Sequence, residues 1–141
     1  MFFAKLHPWL VHFPVALLVS GALFELLGKL QKEEVLSEAG WFNIRFGYWS
    51  ILPAMGAGII GVLSMEIKPA FKPFLVSHIL YAFITAAVFS GILILHQFRK
   101  YLAVNIFYQL FLLAGLFCVL ATGYFGGELV SRFGLPSGKI P

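Results

Sequence analysis

The sequence predicts an all-α integral membrane protein, a four-transmembrane-helix bundle with both termini on the same side. Three observations predict it. Hydrophobic residues fill 60% of the 141 positions and charged residues only 11%, with a mean hydropathy of +0.92. A soluble domain is about half apolar and about a quarter charged, so this supply of polar side chains cannot cover a water-facing surface. Four apolar stretches each approach the roughly 20 residues that a helix needs to cross a hydrocarbon core. The polar residues are gathered between those stretches.

The predicted spans run from about 9 to 27, 46 to 65, 74 to 95 and 106 to 125. Their separators are Lys29–Glu38, Glu66–Pro73 and Gln97–Lys100. The length leaves room for a single domain over residues 1–141. Neither an internal repeat nor a low-complexity segment stands out. Side one carries the amino terminus, the Glu66–Pro73 loop and the Glu128–Pro141 tail. Side two carries the Lys29–Asn43 loop, whose helical character is expected to extend the first helix past the membrane surface, and the Gln97–Lys100 turn. Basic residues favour the cytoplasmic side, but Lys5, Lys68, Lys72, Arg132 and Lys139 on side one balance Lys29, Lys32, Arg45, Arg99 and Lys100 on side two. Charge therefore leaves the orientation open.

Several function classes drop out. The net charge of +4 is spread singly or in pairs between apolar runs, where it anchors helices to headgroups, and not in a patch that would hold nucleic acid. Cys118 is the lone cysteine, which excludes an internal disulfide and a thiolate metal cluster. The first apolar run lacks a small-residue cleavage site, so it is expected to stay as a span. Four short helices with no broken pair offer little for alternating-access transport.

Ionisable residues inside spans are costly and mark interior or functional positions. They are His12, Glu25, His78 and His96, with His7 just outside, at the membrane surface, because it precedes Pro8. His12 and His78 each lie a few residues into a span from side one, roughly 5–8 Å below the interface at the helical rise of about 1.5 Å per residue. Two histidines at matched depth on different helices meet the requirement of a bis-histidine haem b, with His12 and His78 as axial iron ligands. Small residues at Ala54, Gly56, Ala57, Gly58 and Gly61, and at Ala114, Gly115, Ala121 and Gly123, could let a macrocycle lie against the helices, or serve tight helix packing. Pro14 opens or kinks the first helix beside His12.

Other readings stay open. His7, His12 and His78 could hold a zinc or copper ion. Glu25 and His96, at comparable depth near side two, could pair or relay a proton toward a quinone, or simply reach for the interface. Gly126-Gly127 is expected to end the fourth helix, placing Glu128 where it could hydrogen-bond a ligating histidine. A cofactor-free structural or assembly subunit is the main alternative to an electron carrier; the sixteen phenylalanines supply broad apolar faces for docking.

The opening Leu6-His-Pro-Trp-Leu-Val-His-Phe-Pro-Val-Ala-Leu-Leu18, followed by Ala22-Leu-Phe-Glu-Leu26, resembles the HPxxVHFPxxLL signature of a bacterial family of small four-span membrane proteins of unknown function. His78 early in the third span and the ending Thr122-Gly-Tyr-Phe-Gly-Gly-Glu-Leu-Val130 follow in the family's order. Tyr124 stands where relatives often carry a histidine, and Ser131 where a tyrosine often follows the Leu-Val. Members are sometimes joined to c-type cytochrome domains. The resemblance therefore implies a redox setting in the bacterial inner membrane, with side one facing the periplasm. It also implies partners among membrane redox subunits or c-type cytochromes, and an electron-transfer subunit more than a stand-alone enzyme.

Overall fold

The computed structural model describes residues 2–136, with side chains from residue 6 onward. The side chain of Lys5 and the end of the tail with Lys139, both assigned above to side one, lie outside the described residues. The elements are α1 (Phe2–Leu10), α2 (His12–Gln31), α3 (Glu34–Leu63), α4 (Lys72–Gln97) and α5 (Leu102–Ser131). α1 and α2 together supply the first span, so four long apolar helices can each cross a membrane. The expected fold class is the observed one. An even number of crossings is consistent with both termini on one side.

The division at Val11 has a local cause. Pro14 has no N–H to give to the carbonyl of Leu10, and a proline is tolerated only where that bond is missing anyway, in a helix's first turn. The chain restarts at His12, with Val15 N–H donating to Val11 O at 3.1 Å. Pro14 thus opens α2.

The long side-two loop does not exist. Lys32 adopts left-handed backbone (φ 59), which ends α2, and Glu33 N–H closes onto Gly28 O at 2.9 Å. α3 then begins at Glu34, so the polar stretch from 34 to 45 extends the second helix, not the first. The same continuation makes α3 and α5 30 residues each. That is about 45 Å at 1.5 Å per residue against a core of about 30 Å, so both project beyond the lipid. α5 also runs through Gly126-Gly127 to Ser131, which corrects the expected stop; glycine is tolerated inside membrane helices. Among the described residues the left-handed glycine is Gly134, at φ 63.

α2 packs along α3 and α4 along α5, α2 reaches α5, α3 touches α4, and α1 leans on α3. Leu18, Ala22, Ile44, Ile51, Phe89, Ile92, Tyr108, Leu112 and Val119 form the core where the four spans meet. Large apolar residues such as Phe13, Trp49, Leu102 and Phe117 face outward, where lipid is their solvent. Lipid gives little hydrophobic drive to bring helices together, so close backbone approach and interhelical hydrogen bonds must hold them. Gly21, Gly28, Gly40 and Gly47 form the α2–α3 seam, where a Cβ on Gly40 would meet Glu25 N at 2.6 Å and Gly21 O at 2.8 Å. Asn43 donates to Ser20 at 3.0 Å across that seam, and Tyr48 bonds Ser90 at 2.9 Å between α3 and α4.

Candidate functional site

At the side-one end the structure brings together His7 and His78, not His12 and His78. The His7 and His78 rings lie 6.0 Å apart between centroids and nearly perpendicular, at 80°. His12 is exposed on the outer face of α2. The reason is helical phase. His7 and Glu25 are 18 residues apart (25 − 7), five turns of about 3.6 residues, so they share a face with buried Leu18 between them. His12 sits five residues beyond His7, about 140° around the axis. His12 therefore faces outward, away from His78. His7, expected at the surface because it precedes proline, is instead helical and half-buried.

Each ring is held the same way. His7 Nδ1 lies 2.8 Å from Ala54 O, and His78 Nδ1 lies 3.0 Å from Thr122 O. A carbonyl can only accept, so Nδ1 carries the proton in both rings, and a neutral ring then keeps its lone pair on Nε2. In both cases a glycine stands four residues after the accepting carbonyl: Gly58 after Ala54, Gly126 after Thr122. A side chain on a helix tilts toward the amino terminus, over the preceding turn, so a residue larger than glycine would cover that carbonyl. A Cβ on Gly58 would meet His7 Cε1 at 2.9 Å, and one on Gly126 would meet His78 Cε1 at 3.0 Å. The two helical hairpins therefore repeat one device, although their sequences show no repeat.

The remaining expected ligands are placed elsewhere. Glu128 makes an ion pair with Arg132 at 3.5 Å, and the backbone carbonyls occupy the orienting role it was expected to fill. With His12 outward, the three-nitrogen zinc or copper site does not assemble; among the described residues no group of three or more His, Cys, Asp or Glu could hold a metal ion. Tyr124 is exposed and packs on Phe125, so a histidine at that position would not join the pair.

A family profile described as "Predicted membrane protein (DUF2231)" matches residues 4–138, nearly the whole chain. The chain belongs to this family. No curated protein and no solved structure matches it. Membership in DUF2231 establishes a membrane protein and carries no activity. Three separate stretches of the chain build the site: the opening supplies His7, the third span His78, and the glycine-rich ending Gly126.

At side two, Glu25 and His96 are also brought together, with His96 Nε2 3.9 Å from Glu25 Oε1 and Arg99 Nη1 3.5 Å from the same oxygen. Glu25 is only 2% exposed, which rules out the expectation that it reaches for the interface. Trp41 lies flat on His96, 3.5 Å between centroids, and the Tyr108 ring meets the His96 ring edge-on at 5.7 Å. Sequence reading missed Trp41 and Tyr108. It also missed that His96 follows His78 by the same 18 residues that separate His7 and Glu25.

Proposed function

We propose that this DUF2231 protein is a b-type haem-binding electron carrier of the membrane, in which His7 and His78 would hold the iron, working as a subunit of a larger redox complex. The observation that carries the reading is the matched pair of imidazoles on two different hairpins, each with Nδ1 committed to a backbone carbonyl. Ligating histidines in metal sites characteristically donate their second nitrogen in this way, which sets ring orientation and raises the basicity of the other nitrogen. The two rings lie 6.0 Å apart between centroids, close enough that one metal ion would be held by both.

Haem iron held by two imidazoles supplies one-electron chemistry between its ferrous and ferric states. The chain's own contribution is positional. Ala54 and Thr122 hold the ligand rings, and Gly58 and Gly126 open the helix surfaces that let the rings reach those carbonyls. Phe74 and Tyr81 of α4 both pack on Phe125 of α5. In this reading the electron partner is a c-type cytochrome on the extracytoplasmic face, at side one of a bacterial inner membrane, with quinone the alternative partner from the lipid. A cofactor-free structural subunit is the competing reading, because each imidazole already has a backbone partner.

The test is a dithionite-reduced minus oxidised spectrum of protein purified from haem-sufficient cells. A b-type α band is expected. A protein that shows no band, and acquires none when haemin is added, contradicts the haem reading and favours the structural one.

A further inference from the structure

The side-two cluster lies far from the histidine pair. Eighteen residues of α4 separate His78 from His96, about 27 Å along the helix, so the two sites stand near opposite membrane surfaces. Three side-chain atoms in the cluster are buried with no hydrogen-bond partner among the described residues: Glu25 Oε1, His96 Nε2 and the Tyr108 hydroxyl. They come from three helices, α2, α4 and α5, and converge. The Tyr108 ring meets the His96 ring at 5.7 Å, and His96 Nε2 stands 3.9 Å from Glu25 Oε1, beyond the roughly 3.2 Å of a direct hydrogen bond. Buried polar atoms in folded proteins are nearly always satisfied, if not by protein then by water. A water oxygen at about 2.8 Å from both Nε2 and Oε1 fits this separation, and a third bond from Tyr108 completes the usual three.

A permanent ion pair explains less of this arrangement. Arg99 reaches Glu25 from the surface and its side chain is 43% exposed, while the carboxyl side chain is 3% exposed. Such a pair would need neither His96 nor Tyr108, and apolar residues in their place would remove two unsatisfied groups.

We propose that Glu25, His96 and Tyr108 form a proton-exchange site bridged by one buried water, in which Glu25 takes up and releases a proton through His96 at the side-two face. In uptake, the His96 imidazolium gives its Nε2 proton to the bridging water as that water passes one of its own to Glu25 Oε1. One N–H bond breaks and one O–H bond forms, leaving a neutral imidazole and a carboxylic acid; His96 regains its proton from the aqueous face. Arg99 balances the carboxylate and is free to turn to water once Glu25 is neutral. The charged and titratable groups around the site are Arg45 from α3, within electrostatic range of His96, His96 and Arg99 from α4 and its end, and Tyr108 from α5. Lys29, one turn beyond Glu25 on α2, is exposed. The site does not depend on the haem reading.

The experiment is infrared difference spectroscopy of the full chain, carrying 13C-glutamate, in lipid nanodiscs cycled between acidic and alkaline buffer in H2O and in D2O. The expected result is a reversible carboxylic C=O band that moves in D2O, disappears in Glu25→Gln and changes frequency in Tyr108→Phe, with its deuterium exchange slowed in His96→Gln. Tyr108→Phe conserves shape, so it decides the matter if Glu25→Gln does not fold. The proposal is overturned if no buried carboxyl band responds to pH, if the responding bands survive Glu25→Gln, or if Tyr108→Phe leaves the band where it was.

Discussion

Gly40→Ala is expected to destabilise the bundle by about 1–3 kcal/mol, and Gly40→Val by more, the ordinary range for overpacking a filled interior. The added Cβ would stand 2.6 Å from Glu25 N and 2.8 Å from Gly21 O. Both are backbone atoms of a neighbouring helix, which cannot swing aside as a side-chain end can. The α2–α3 seam would have to open along its length, and the Asn43–Ser20 bond would go with it. Gly127→Ala is the control. It is also a helical glycine, but a Cβ there meets nothing within 4 Å, so the change should be neutral or stabilising by up to about 1 kcal/mol through helix propensity. Unfolding in detergent, followed by loss of helical circular dichroism, separates the two.

Gly58→Val and Gly126→Val are expected to damage the site while leaving the bundle folded. Each places a branched side chain where the His7 or His78 ring now lies and covers the carbonyl that orients it. Losing an orienting partner of a metal-bound histidine costs roughly 10–100-fold in affinity, and displacing the ring itself costs at least as much. Haem retained per protein through purification, set against Gly127→Val, measures the effect. Equal retention in all three would mean that the glycines serve packing alone.

The four spans were legible in the sequence because composition decides them: with so few charges, the long apolar runs have nowhere to go but lipid. The α2–α3 turn was not. It rests on Lys32 in left-handed backbone, and no signal distinguishes that lysine from the helical residues around it. Gly126-Gly127 was misread as a stop because glycine ends helices in water, while in a membrane helix it can instead make room for a neighbour. The site was half legible. Depth alone brought forward His12 and His78 and put His7 second. Helical phase was available and would have reversed the order: His7, Leu18 and Glu25 share a face, and His12 does not. The same five-turn interval from His78 to His96 would have moved Glu25 and His96 into the interior. Ala54 and Thr122, acting through main-chain carbonyls, leave no trace in side-chain chemistry, and only the glycine four residues after each one points to them.

The most direct test of the central claim is the reduced-minus-oxidised spectrum of His7→Ala, His12→Ala and His78→Ala purified side by side. The account predicts that His12→Ala keeps the b-type band at wild-type intensity per protein, while His7→Ala and His78→Ala lose it. A band that survives in His7→Ala and vanishes in His12→Ala would contradict the pairing of His7 with His78 as the functional centre of this protein.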